Sequence, residues 1–542
     1  MHRGDKIMKN YALVVCAAFA LLFVLDLPRA AAEPLPGYVT PPAPVFSDSE
    51  RQAELARRRS EVAAKMSDKS ILILFSAEPK LYTNDVDYVF RQENNLYYLT
   101  ALKQAGSALV ITKDGPTIRE FIFLPKRNPQ FETWNGRMYS NEDASTLSGI
   151  KTIIASSELP QFLQALKEKR PFRTADASVE SGVLPQNIYL LLPDSPQDRD
   201  GAREFRVEEE FSRSLSGFKV ENAQPIFAEL RHIKSAYEQK LLQHAIDITT
   251  EAQMRAMAAA GRAKMEYEVQ AEVEYIFRKR NADFWGYPSI VGCGPNATTL
   301  HYEEASGPVK PGDLLLMDVG AEYDHYSADV TRTFPINGKF TKEQADIYRI
   351  VYDAQEAVAK AAKPGATMSD LGEAAASVIK DGLFKLGLIT DKNSRQYGIF
   401  YMHGFGHWLG MNVHDLGRYG APLRPGMTFT NEPGIYIRED ALNYLPDTPE
   451  SKAFIAKVGP AFEKYKNIGV RIEDDMLITD TGVVWMTRDL PRKLEDVESY
   501  ISKARPGFPF VASRTGRKKS VIRHSSLLGS AFASEFFARR TV

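Results

Sequence analysis

"DLLLMDVGAEYDHYSADVTRTFP" runs from Asp313 to Pro335. An apolar run, Leu314 to Met317, ends on Asp318. A Gly-Ala-Glu-Tyr-Asp-His turn region follows, and a second, alternating run begins at Asp329. Two strands joined by so short a connection pair antiparallel. Asp318 and Asp329 can then project from neighbouring strands on one face. Side by side and buried, two carboxylates repel and one pKa rises. A cation stabilises such a pair most simply. This segment alone reads equally well as two solvated aspartates on a hairpin.

Working outward, three more segments change the balance. "TNEPGIYI" (Thr430 to Ile437) places Glu432 just before a Pro-Gly turn. "IGVRIEDDMLIT" (Ile468 to Thr479) places Glu473 within an apolar strand predicted over Ile468 to Ile478. There Val470 and Ile472 point one way, and Arg471 and Glu473 the other. "MHGFGHWLGMNVHD" (Met402 to Asp415) holds His403, His407 and His414, three of the chain's nine histidines. Asp318, Asp329, His407, Glu432 and Glu473 make four carboxylates and one imidazole. That is too much charge to bury without metal, and more ligands than one ion needs. The oxygen-rich set favours Mn²⁺ over a thiolate-type Zn²⁺ site.

Composition bounds the rest. At 542 residues the chain predicts two or more domains, and its 44% hydrophobic content is enough for full cores. Lys plus Arg (68) nearly equals Asp plus Glu (69), so charge gives no reason to propose a nucleic-acid partner. Cys16 and Cys293 are the only cysteines, which excludes a disulfide framework.

The N-terminus reads as a secretory signal, residues 1–32. His2, Arg3, Lys6 and Lys9 precede a 15-residue apolar run, Tyr11 to Leu25, and Ala30-Ala31-Ala32 offers a cleavage site. The run is short of the roughly 20 residues of a spanning helix. The mature chain is therefore expected to be secreted or periplasmic. Residues 33–45 follow as a linker, with five prolines between Pro34 and Pro44, a stiff unfolded tether. At the other end, residues 505–542 carry eight Lys or Arg and one Glu and read as a disordered or weakly packed basic extension, with a basic functional arm as the alternative.

Between these ends the chain divides near residue 225. A charged helix (Glu50 to Met66) and the apolar runs "SILILFSA" (Ser70 to Ala77), "SALVIT" (Ser107 to Thr112) and "REFIFLP" (Arg119 to Pro125) predict an α/β domain over 46–225. From Ser235 a long amphipathic helix opens a second domain, 226–504. His244 reads as an ordinary residue of that helix.

With these segments in hand, the chain resembles the creatinase and methionine aminopeptidase superfamily of "pita-bread" fold, and within it aminopeptidase P. The motifs "SIVGCGPNATTLHYEE", "MDVGAEYDHYSADVTRTFPINGKFT", "MHGFGHWLGMNVHDLG", "NEPGIYI" and "GVRIEDD" carry the likeness, joined by "RQENNLYYLT" and "FETWNGRM" in the N-terminal part. It covers roughly Phe46 to Arg505. The resemblance implies an α/β (α+β) chain, with a creatinase-like N-terminal domain followed by a pita-bread catalytic domain. It implies two divalent metal ions, Mn²⁺ first, with Co²⁺, Fe²⁺ or Zn²⁺ as substitutes. Asp329 and Glu473 would bridge the ions, Asp318 would serve one, and His407 and Glu432 the other. A water shared by two ions about 3.5–4 Å apart becomes hydroxide at neutral pH and attacks the Xaa-Pro carbonyl. Glu432 would accept the proton, His301 and His414 would steady the oxyanion, and His403 would wall the proline pocket. Arg471 would orient Asp318.

The implied activity is release of the N-terminal residue from peptides with proline second. Two neighbouring activities share the likeness, an Xaa-Pro dipeptidase and, more weakly, creatinase-like amidinohydrolysis. A pseudo-peptidase that only binds peptides is the non-enzyme alternative. In the family, a tryptophan in a segment like "FETWNGRM" reaches a neighbouring subunit's site. Trp134 therefore implies a homo-oligomer, dimer or tetramer, against the alternative of a half-buried core tryptophan. Asp324-His325 has no family match, and His325 reads as turn surface. The offset of 41 positions from Glu432 to Glu473 exceeds that of compact members of the family, so residues 438–467 are expected as an insertion near the active-site mouth.

Overall fold

A computed structural model describes residues 38–504, apart from 176, 177, 183 and 196. The signal segment, residues 33–37 and the basic tail lie outside the described residues. Residues 38–45 form no helix or strand, yet they are not a free tether. Tyr38 donates to Asp247 (2.7 Å), and the Thr40 backbone and hydroxyl both donate to Glu251 (2.8 and 2.6 Å) on the helix Ala236–Ala260.

The N-terminal half is built on a six-stranded mixed sheet. Its order is Thr152–Ala155, Thr117–Leu124, Ala108–Asp114, Ser70–Phe75, Asn187–Leu190 and Lys219–Asn222. The central strand, SILILF, is buried along its whole length, which is why it is an unbroken apolar run. The helix Asp48–Lys65 starts on a Ser47/Glu50 capping box and buries Val62 and Ala63 against the sheet. The predicted limit at 225/226 falls inside the helix Gln224–His232.

The C-terminal half sets helices outside short antiparallel strands. Ser235 and Glu238 form the capping box that starts Ala236–Ala260. Leu314–Val319 pairs antiparallel with Val330–Pro335, as the sequence predicts. The strand predicted over Ile468 to Ile478 is broken. Ile468–Arg471 pairs with Gly434–Ile437, while Asp474–Thr479 pairs with Thr428–Asn431. Glu432-Pro433 and Ile472-Glu473 face each other at the break. Pro433 has no N–H to donate, so the ladder is interrupted there.

The two halves share one apolar core, where Leu72, Leu96 and Leu109 meet Leu241, Tyr326 and Met411. Polar contacts reinforce it. Arg91 pairs with Glu322 (2.8 Å) and donates to the Met411 carbonyl (2.8 Å). Asn94 donates to Asn412 (2.6 Å), and the Tyr97 hydroxyl donates to Asp324. This cover corrects the surface reading of His325. The turn is real, with Asp324 and His325 at φ 51° and 68°. His325 is nevertheless only 2% exposed, stacked on Tyr97 at 3.8 Å. Residues 438–467 are also placed differently. They form the short turn Ala441–Tyr444 and the helix Pro449–Tyr465. Val458, Phe462 and Tyr465 join the core around the helix Lys342–Ala361, and none of the segment lines the cavity that Asp318, Asp329 and Glu473 share.

Candidate metal centre

A cavity of about 350 Å³ opens where these strand ends converge. Asp318, Asp329, His301, His403, His407, His414, Glu432, Arg471 and Glu473 all line it. Ligand atoms of Asp329, His407 and Glu473 lie within 4.8 Å of one another. Asp318 and Glu432 flank this trio. Nδ1 of His407 donates to the Trp408 carbonyl (3.0 Å), which presents Nε2 to Asp329 (3.3 Å) and Glu432 (3.4 Å). Thr331 donates to Glu473 (2.6 Å).

The electrostatics show why this group needs cations. Burial pushes the carboxyl of Glu473 well up, and the charges of Asp329, Asp318 and Glu432 add to it. Burial likewise raises Asp329, against the His407 hydrogen bond. Glu432 rises to about 7, first by burial, with His407 opposing and Asp329 adding. For His407 burial disfavours the charge, but the bond to Asp329 and the field of Glu432 prevail and lift it to about 9. Once ionised, the four carboxylates outnumber Arg471 and the His407 cation, and a hard, oxygen-rich donor set fits divalent cations.

Arg471 is not a surface arginine. It is 3% exposed and donates to Asp318 (2.5 Å), to the Tyr436 hydroxyl (2.6 Å) and to Thr331 (3.1 Å). The Tyr436 hydroxyl in turn donates to Nε2 of His403 (2.8 Å), whose Nδ1 donates to the Gly404 carbonyl (2.7 Å). A hydrogen-bonded chain thus runs from Asp318 to His403. Burial holds His403 down to about 4, and burial with the nearby His407 charge does the same to His414, so both are neutral donors or acceptors. Two side chains were missed in the sequence. The Tyr287 hydroxyl lies 2.5 Å from both Asp318 Oδ1 and Asp329 Oδ1. Tyr436, inside the quoted "NEPGIYI", links Arg471 to His403. The aromatic run "FWGYP" before the strand Ile290–Cys293 was the only signal for Tyr287. Trp134 is not in this cavity and not in a core. It sits 84% exposed on the helix Pro129–Asn135.

The family relationship agrees with this geometry. Residues 240–480 match metallopeptidase family M24, and residues 55–173 match the aminopeptidase P N-terminal domain. The chain belongs to metallopeptidase family M24. Its place is in the Xaa-Pro aminopeptidase branch. It is 35% identical to the Xaa-Pro aminopeptidase of Haemophilus influenzae, over 83% of this chain and 97% of that one. It is 30% identical to human Xaa-Pro aminopeptidase 3, over 86% of this chain and 88% of that protein. Aminopeptidase P from E. coli with the inhibitor Pro-Leu superposes with a TM-score of 0.71 at 30% identity, covering 85% of this chain and 99% of that one.

Proposed function

We propose that the chain releases the N-terminal residue from peptides whose second residue is proline, using two divalent cations held by Asp318, Asp329, His407, Glu432 and Glu473. Mn²⁺ is the proposed physiological metal, with Co²⁺, Fe²⁺ or Zn²⁺ as substitutes. When bound, such ions lower the pKa of a water and polarise a peptide carbonyl. The observation that carries the reading is the gathering of Asp329, His407 and Glu473 within 4.8 Å, in a cavity that three further histidines line.

The chain's own groups supply the rest. Glu432, on the cavity wall beside His407, is placed to take the proton of the attacking water. His301 and His414 donate to the oxygen that becomes the oxyanion. His403, fixed through Tyr436 and Gly404, walls the proline ring. Arg471 holds Asp318 in its orientation. An Xaa-Pro bond is a tertiary amide without N–H, so grip must come from the ring and the carbonyl.

Assay of purified protein with Mn²⁺ on Xaa-Pro dipeptides and Xaa-Pro-Yaa tripeptides tests this. Tripeptide cleavage is expected. Cleavage of dipeptides alone would make it a dipeptidase, and metal binding without turnover a pseudo-peptidase. The exposed Trp134 supports a homo-oligomer, dimer or tetramer, in which it reaches a neighbour's site. Ala30-Ala31-Ala32 supports export to the periplasm or beyond, and N-terminal sequencing should find Glu33 first. Residues 46–225 and 226–504 are the proposed domain limits.

A further inference from the structure

The catalytic cavity does not end at the histidines. Tyr287, Pro288, Val413 and His414 also line a second cavity of about 720 Å³. Arg91, Asn412 and Glu204 of that cavity line a third, of about 640 Å³. Neighbouring cavities share these walls, and together they mark out a cleft between the two halves of the chain. It leaves the site past His414 and ends against Phe75 and Glu208 of the N-terminal half.

The far end is acidic, and one of its carboxyls has no counterpart. Glu208, on the helix Arg206–Arg213, is 4% exposed and lines the cleft. Among the described residues, no hydrogen bond or ion pair joins its carboxyl to another side chain. Burial pushes it up to about 8, and Glu93, Glu204 and Glu78 add to the rise. Glu93 is already committed, capping the helix Asn94–Thr100 through the N–H groups of Asn95 and Leu96. Glu204 stands exposed at the mouth of this end, and its carboxyl is raised by desolvation against the fields of Lys80, Arg231 and Arg91. The basic side chains of this end are Lys80, Arg91 and Arg203. Arg91 is held by Glu322 and the Met411 carbonyl, and Lys80 and Arg203 are exposed. For Glu208, its own backbone N–H is the one group that favours the charged form; a carboxyl buried without a cation is costly, and an arriving cation favours its ionised form.

An exopeptidase that detaches one residue has only the remainder of its substrate to lay in so long a cleft. We propose that this cleft binds the peptide beyond the proline, and that Glu208 with Glu204 selects a lysine or arginine side chain there. The inference rests on the Xaa-Pro aminopeptidase reading.

The test measures kcat/KM on peptides that begin Ala-Pro, continue with alanine spacers of increasing length, and end in lysine, leucine or glutamate. Ala-Pro-Ala is the reference. At one spacing the lysine peptide should exceed the glutamate peptide about tenfold, the ratio that about 1.4 kcal/mol represents. Glu208→Gln with Glu204→Gln should remove that preference and leave cleavage of Ala-Pro-Ala unchanged. Glu208→Gln alone should not lower the melting temperature, because the carboxyl it replaces bonds only its own backbone, a bond that the amide oxygen of glutamine keeps. No lysine preference at any spacing, or a preference that survives the double substitution, would overturn the inference if Ala-Pro-Ala is still cleaved. Failure of the wild-type protein to cleave Ala-Pro-Ala would overturn the aminopeptidase reading itself, and this inference with it.

Discussion

Replacing Arg471 with methionine should destabilise the metal-free protein severely. The guanidinium is buried and serves Asp318, Tyr436 and Thr331 at 2.5, 2.6 and 3.1 Å. Methionine matches much of the stem's volume, so little cavity forms. What is lost is the cation beside Asp318, in a pocket that also holds Asp329, Glu432 and Glu473. Breaking a buried pair by removing one partner costs about 3–5 kcal/mol, most of it from the charge left behind. Denaturant unfolding of the chelated protein should therefore show a lower midpoint with an unchanged slope. Adding Asp318→Asn removes the stranded charge. The double variant should recover part of the loss, with a coupling of about 1–3 kcal/mol between the two sites. Metal-loaded protein should lose less, because bound cations compensate Asp318 in place of the arginine. A loss below about 1 kcal/mol, the size of an exposed pair, or additive effects of the two substitutions, would refute the assignment of Arg471 as the partner that holds Asp318.

Exhaustive chelation should abolish activity and Mn²⁺ should restore it; full activity with no metal by elemental analysis would contradict a metal centre. Metal uptake should release protons and weaken in acid. His407 at about 9 and Glu432 at about 7 in the metal-free protein must both lose a proton to ligate, so affinity falls as pH drops through about 9 and then 7. Calorimetric titration in buffers of different ionisation enthalpy reads this directly, and a pH-independent affinity would count against it. Asp329→Asn should be nearly inactive with its fold retained by circular dichroism, because a neutral amide cannot balance two cations. Trp134→Ala should weaken cleavage of longer peptides more than it lowers the melting temperature, and sedimentation showing an active monomer would leave Trp134 without a bridging role.

Asp318 and Glu473, two of the proposed ligands, could be singled out because each interrupts an apolar strand pattern. Asp318 ends a run of four apolar residues, and Glu473 follows alternating Val470 and Ile472, whose side chains enter the apolar core as predicted. The break at Ile472-Glu473 was not legible from that strand, because its cause, Pro433, lies on the partner strand. His325 was misread for a similar reason. Local turn chemistry was visible in Asp324-His325, but the tyrosine that covers the turn is more than two hundred positions away. Tyr287 and Glu208 carry no periodic signal, and their settings exist only once the two halves of the chain meet.

That meeting has a consequence for the integrity of the enzyme. The loop carrying His414 is anchored at Met411 and Asn412 by Arg91 and Asn94, which belong to the other half of the polypeptide. With the shared core of Leu72, Leu96, Tyr326 and Met411, these anchors make the halves a single cooperative unit. The C-terminal half holds every proposed metal ligand, yet by itself it should not be a self-sufficient catalyst. Expressed by itself, it would keep the donor atoms and lose the scaffold that orients the loop beside them. Loss of the N-terminal half and loss of turnover should accordingly be one event, even though no metal ligand comes from that half.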